Sequence, residues 1–196
     1  MPEMRRICVN CGSSPGRLPA YRQGARELGA YLAQNGIEVV FGGADVGLMG
    51  DVADSALQSH GKVIGVVPKY IAEKVGHSGV SAIHVVDTMH ERKQLMFDLS
   101  DGFIALPGGL GTMEEMFELL TWAQLGQHSK PCGVLNTAGY WNKLLEFLDY
   151  CVDERFVKPE HRKMLLVAQS PSELISQFRN YEGPKVEKWI DMQRSS

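Results

Sequence analysis

The sequence lacks what a membrane-spanning or exported protein needs. No apolar run approaches the ~20 residues that cross a bilayer. The N-terminal MPEMRR leads into a strand-like ICV too short for a signal-peptide core, so a cytoplasmic protein without membrane contact is expected. Only four cysteines occur, Cys8, Cys11, Cys132 and Cys151, too few for a disulfide scaffold, and free thiols are expected. Cys8 and Cys11 have the spacing of a redox or half-zinc pair. A second such pair is missing, and residues three apart on a strand point to opposite faces. Excess charge is missing too. A net charge of −3 and a pI of about 6.1 provide no basic field for a polyanion, which argues against nucleic acid and leaves small ligands. His90-Glu91 opens like a zinc-binding HExxH, but Gln94 stands where the second histidine belongs, and neither a metal nor a cofactor is expected.

What is there is an alternating pattern. Short β-branched or apolar runs at 6–10, 37–41, 63–67, 82–86, 103–106, 132–135 and 164–167 predict strands, most of them buried. Helical spacing fills 20–34, 48–59, 89–99, 112–125, 140–154 and 172–178. Strand-helix alternation predicts an α/β fold, a largely parallel sheet with helices on both faces and ligands beyond the carboxyl ends of the strands. Without repeats, low-complexity tracts or long linkers, one domain over 1–196 is expected, its tail from about 183 frayed or packed on a partner.

Three expected strands lead into small-residue turns: Cys11-Gly12-Ser13-Ser14-Pro15-Gly16, then Gly42-Gly43-Ala44 continuing to Gly50, and Pro107-Gly108-Gly109-Leu110-Gly111-Thr112. Glycine lets backbone approach an anion closely, and a following helix offers free N–H groups and a positive dipole end. Glycines also simply make tight turns, but three such turns on one sheet edge point to a nucleotide phosphate. The third turn is a poor dinucleotide fingerprint, because Glu114 takes the place of the last glycine. Adjacent helical positions diverge by about 100°, so at most one of Glu114 and Glu115 aims squarely at a ligand there.

Met89, Arg92, Met96 and Leu99 fall on one helical stripe. An arginine in line with apolar residues either snorkels outward or meets a buried anion, and its fork suits phosphate or carboxylate; Lys93 adds a compact charge beside it.

PGGLGTMEE at 107–115, Arg92-Lys93 after Met89-His90, GLMG at 47–50 and CGSSPG at 11–16 together resemble the LOG (Lonely Guy) family of cytokinin riboside 5′-monophosphate phosphoribohydrolases, whose hallmark is PGGxGTxxE with an upstream Arg-Lys pair. The likeness runs from about Ile7 to Val167. It implies a Rossmann-like three-layer sandwich, a homodimer or larger homo-oligomer, and release of a free base and ribose 5-phosphate from a nucleoside 5′-monophosphate. It implies Arg92 and Glu115 as the catalytic pair, with Lys93, Gly108, Gly109, Leu110, Gly111, Thr112, Met113, Glu114, Thr121, Gly42 and Gly43 in the nucleotide site. An older lysine decarboxylase label attached to relatives has no support here, since no lysine stands in a recognisable pyridoxal-phosphate context. Two departures from the family stand out: Ala44 where a third glycine is common, and Glu73-Lys74-Val75 where plant members tend to have Pro-Arg-Glu. The second touches substrate preference.

Cleavage of an N-glycosidic bond builds oxocarbenium character on the ribose, which a carboxylate such as Glu115 would stabilise while taking a proton from water. Two rivals stand beside this reading: a nucleotide-binding or carrier protein of the same fold that does not hydrolyse, and a general purine nucleotide nucleosidase acting on AMP. A prenylated base needs an apolar pocket; Met89, Met113, Met116 and Trp122 are candidates, but their helical spacing suits core positions better.

Overall fold

A computed structural model of the chain describes residues 4–183. The short apolar runs become seven parallel strands: β1 (Arg6–Asn10), β2 (Glu38–Phe41), β3 (Val63–Pro68), β4 (Ala82–Val86), β5 (Gly102–Ala105), β6 (Cys132–Leu135) and β7 (Leu165–Ala168), in the order β4-β3-β2-β1-β5-β6-β7. The helices are α1 (Pro19–Gln34), α2 (Gly47–Gln58), α3 (Lys69–Val75), α4 (Met89–Leu99), α5 (Leu110–Gln124), α6 (Asn142–Asp153), α7 (Pro159–Arg162) and α8 (Pro171–Arg179). This is a Rossmann-like α/β fold. The chain steps outward from β1 to β4, then returns to the other side of β1 and steps outward again from β5 to β7. With right-handed crossovers, reversing direction puts the later helices on the opposite face and opens a crevice beyond β1 and β5.

Strand alternation feeds both faces. Ile7 and Val9 enter a core with Leu28, Leu32, Val52 and Ile175 beneath α1, α2 and α8. Cys8 enters the other, with Met96 of α4 and Leu119 of α5, and Trp141 closes a third cluster over β5 to β7. The four cysteines are free, and Cys8 and Cys132 are buried. Helices α1 and α2 approach so closely that a Cβ on Gly29 would lie 2.4 Å from the Val52 carbonyl oxygen. Arg22 and Arg26 of α1 both reach the buried Asp51 of α2, at 2.7 and 2.9 Å, so its charge is paired on leaving water.

The structure departs from the sequence expectations in three ways. Helices α3 and α7, of seven and four residues, were not anticipated, because so few residues show no readable period. Helix α5 starts at Leu110, not 112, since the extended Gly109 already serves as its N-cap. Strand β4 is exposed rather than buried, with Ile83 and Val85 about half exposed, because it is the sheet edge. The tail beyond 183 lies outside the described residues.

Gly29→Ala forces a methyl group into the Val52 backbone and is expected to cost about 1–3 kcal/mol through overpacking. At roughly 2–4 °C per kcal/mol for a chain of this size, a thermal melt will register it; an unchanged Tm would show that α1 and α2 separate freely.

Candidate functional site

The crevice beyond β1 and β5 is a cleft of about 920 Å³, built from five segments. The turn after β1 contributes Cys11, Gly12 and Ser13, the turn after β2 contributes Gly42, Ala44 and Val46, and Met49 and Ile71 come from α2 and α3. Arg92 of α4 faces Gly109, Leu110, Gly111, Thr112 and Glu115 at the start of α5. Backbone hydrogen bonds hold the three turns together: Gly12 N–H donates to the Pro107 carbonyl at 3.0 Å, and Leu48 N–H donates to the Gly12 carbonyl at 3.0 Å.

The first intrahelical bond of α5 runs from Met113 N–H to the Gly109 carbonyl, and no side chain caps the helix. The amides of Leu110, Gly111 and Thr112 are therefore free of intrahelical partners at the positive end of the helix, directed at the cleft. Helix α4 begins differently. Thr88 and Glu91 form a capping box, with Thr88 Oγ1 accepting from Glu91 N–H and Glu91 Oε2 accepting from Thr88 N–H. Glu91 thus serves helix α4 rather than a metal.

Arg92 is the deepest charge in the cleft wall. Its Nε donates to the Val66 carbonyl at 3.2 Å, its Nη1 meets Met89 Sδ at 3.3 Å, and Nη1 lies 3.4 Å from Glu115 Oε1. Both side chains are mostly buried, at 12% and 15% exposure. Its Nη2 occupies the space above Gly42, where a Cβ would lie only 2.0 Å away, so any larger residue at 42 displaces the guanidinium. Burial pushes the Glu115 carboxyl above its usual value, and the neighbouring Arg92 guanidinium offsets only part of that.

The acidic pair splits as helical geometry demands. Glu115 faces the cleft, whereas the exposed Glu114 bonds Lys93, which also meets Glu118 at 3.0 Å. Burial pulls the Lys93 ammonium down, and its bonds to Glu114 and Glu118 outweigh this to leave it above its usual value. Lys93, Glu115 and Glu118 border a small apolar cavity behind the cleft, with Met96, Phe97, Phe103, Leu119 and Trp122.

Of the residues singled out in the sequence, the cleft brings together Arg92, Glu115, Gly109, Leu110, Gly111, Thr112 and Gly42. Lys93, Gly108, Gly43, Met113, Glu114 and Thr121 do not line it. Gly108 offers its carbonyl to the Tyr140 hydroxyl, and Gly43 offers its carbonyl to His77 N–H. Thr121 is exposed, its hydroxyl turned back to the Phe117 carbonyl, and it lies nine residues beyond Thr112, about 13 Å along the helix. Met116 is buried and Met113 and Trp122 pack on the core. Val46 and Met49 border the cleft from the second small-residue turn, which the sequence marked as a whole, while Asn10 and Ile71 were missed; only the place of Asn10 at the end of β1 signalled it. Asp45, Asp54 and His77 bring ligand-type atoms within 4.8 Å of one another. The His77 ring is already committed: Nδ1 accepts from Gly79 N–H, which leaves the proton of the neutral ring on Nε2, 3.1 Å from Asp54.

Residues 49–178 match the family described as "Possible lysine decarboxylase". The chain is 45% identical to a cytokinin riboside 5′-monophosphate phosphoribohydrolase of Arabidopsis thaliana over 91% of its own length and 82% of the relative's. It is 42% identical to the enzyme of that name from Rhodococcoides fascians, over 91% of both chains. In fold it is similar to the molybdenum cofactor binding protein of Rippkaea orientalis, with a TM-score of 0.69 at 24% identity over 92% of this chain and 98% of that one. The molybdenum cofactor carrier protein of Chlamydomonas reinhardtii gives 0.68 at 21%, over 91% and 98%. At such identities these two likenesses concern the fold alone.

The raised Glu115 carboxyl is expected to leave a signature in stability. The folded state holds that proton more tightly than the unfolded chain, so the contribution is full below the ordinary glutamate value and is lost as pH rises through the folded value. The Tm of Glu115→Gln relative to wild type should therefore rise as pH increases from the ordinary glutamate value upward. A difference that does not change with pH would mean that Glu115 titrates normally.

Proposed function

The chain belongs to the LOG (Lonely Guy) family, and from that premise we propose that its cleft hydrolyses the N-glycosidic bond of a nucleoside 5′-monophosphate, a cytokinin riboside monophosphate or AMP, to the free base and ribose 5-phosphate. The observation that carries this reading is the buried Arg92–Glu115 pair, 3.4 Å apart, one turn from the open N-terminus of α5. The free amides of Leu110, Gly111 and Thr112 hold the 5′-phosphate, and remote phosphate binding positions the sugar. The Glu115 carboxylate lies against the ribose, stabilises positive charge developing at C1′ and accepts a proton from the attacking water. The water oxygen adds to C1′, the C1′–N bond breaks with its electron pair leaving on the base, and the proton that Glu115 took from water passes to the base, which leaves neutral and returns Glu115 to its carboxylate. Arg92 anchors the nucleotide and holds Glu115 in place. Val46, Met49 and Ile71 form an apolar wall for the base. Lysine chemistry with pyridoxal phosphate has no foothold, since the cleft lining contains no lysine among the described residues.

Lys93 serves from behind, drawing Glu114 and Glu118 to itself so that Glu115 is the acid presented to the sugar. A homodimer or larger homo-oligomer completes the proposal. Its natural contact is the groove between α4 and α5, bordered by Val86, His90, Leu95 and Trp122, through which Thr121 would approach a neighbouring copy's site. No helix among the described residues is long and apolar enough to cross a membrane, and a cytoplasmic location fits a nucleotide substrate.

Chromatography of products from AMP and isopentenyladenosine monophosphate tests the reaction. Wild type should release base and ribose 5-phosphate, with the faster substrate identifying the preferred base, and Glu115→Gln should be roughly 10²–10⁴-fold slower. Near wild-type turnover by Glu115→Gln would remove it from the chemistry, and binding without any release would leave a nucleotide carrier. Arg92→Ala should lose about 10²-fold or more in kcat/KM. For the assembly, size-exclusion with light scattering should return at least a dimer mass; a fully active monomer would discard the oligomer.

A further inference from the structure

We propose that Asn10 touches the substrate, its carboxamide Nδ2 donating to the ribose 2′-hydroxyl and making the site selective for ribonucleotides over 2′-deoxyribonucleotides; this rests on the nucleotide reading above. Asn10 is the last residue of β1, at the point where the strand order reverses, and is only 5% exposed. Ile7 and Val9 point toward α1 and α2, and Cys8 points toward α4 and α5. Strand alternation therefore turns Asn10 toward the face that carries Arg92 and Glu115.

The two ends of the carboxamide are treated differently. The Cys8 thiol donates to Oδ1 at 3.3 Å, which orients the group, and no described residue accepts from Nδ2. Asn10 borders the open cleft, so a carboxamide donor that no protein group engages is available there to a ligand. Asn10 and Glu115 are also neighbours along the walls: both border the nucleotide cleft and both border the apolar cavity behind it.

That shared position selects the part of the substrate. Phosphate belongs to the amides at the start of α5, and the base to the apolar wall of Val46, Met49 and Ile71. The carbon that reacts must lie against Glu115, and the 2′-hydroxyl sits on the next carbon, within reach of a donor on the same wall. A neutral donor is the chemically suitable group. A second carboxylate would push the Glu115 proton affinity higher still, and a further cation beside Arg92 would compete more strongly with the developing oxocarbenium for the Glu115 charge.

The test compares AMP and 2′-deoxy-AMP in wild type and in Asn10→Leu, a substitution of similar size without the donor. The variant should lose roughly tenfold or more in kcat/KM on AMP and little on 2′-deoxy-AMP, the intrinsic reactivities of the two sugars cancelling in the ratio of ratios. Equal losses on both would overturn the proposal and leave the hydrolase intact. A second measurement needs no variant: wild type should bind ribose 5-phosphate roughly fivefold or more tightly than 2-deoxyribose 5-phosphate, and equal binding would sink the idea. If wild type releases no base from either nucleotide, the hydrolase reading fails, and the sugar-phosphate binding still decides for or against Asn10.

Discussion

The backbone of Gly12 is the tie on which the site depends. Its N–H reaches the Pro107 carbonyl at the end of β5, and its carbonyl takes the Leu48 N–H at the start of α2. Two hydrogen bonds from one residue thus set the turns after β1, β2 and β5 at fixed distances around a single crevice. A turn after an isolated strand would be free to open to solvent; three turns joined at one backbone position keep their amides and carbonyls in register. The crevice exists because the chain reverses its direction of travel at β1, and Gly12 is two residues beyond that reversal.

Around this tie the helix ends are used in two ways. Helices α4 and α8 have their first amides satisfied by Thr88 and Ser170, each accepting from a glutamate N–H three residues on. Helix α5 has no side-chain cap where it starts at the cleft, whereas the Leu48 N–H at the uncapped start of α2 is taken by the Gly12 carbonyl. A capped helix end gains stability locally, whereas an uncapped end on a concave surface keeps donors available for an anionic ligand. The same contrast governs charge. Asp51 is buried and answered by two arginines, a structural arrangement, while Glu115 is buried against one guanidinium that also has Val66 and Met89 to satisfy. Incomplete compensation keeps the Glu115 carboxyl basic for its type, a property suited to proton acceptance.

Lys93 shows how neighbouring helical positions divide such tasks. Arg92 and Lys93 diverge by about 100° around α4, as Glu114 and Glu115 do around α5, so the two helices meet in two separate ionic groups rather than one cluster. Arg92 with Glu115 faces the cleft, and Lys93 with Glu114 and Glu118 faces away from it. The pairing by sequence adjacency and the pairing in space are therefore different.

The sequence by itself determined the order and type of nearly every long element, because short apolar runs and the 3.6-residue period persist over enough residues to be read, and it placed the glycine turns on one sheet edge. It also carried the family, through PGGLGTMEE and the Arg92-Lys93 pair, since short-range spelling survives without knowledge of packing. What only the tertiary structure decided is which side of each element those residues occupy and what they meet. Helices α3 and α7 were too short to show a period, and the sequence did not mark β4 as the exposed strand because its apolar residues cannot announce that no strand lies beyond them. Asn10 and Ile71 became cleft residues, beside Val46 and Met49 of the second turn, only when the fold brought three distant segments together. Lys93 and Thr121, by contrast, sit in the right motif neighbourhood yet point elsewhere, because the direction of a side chain is fixed by helix phase and packing, which a linear spelling does not contain.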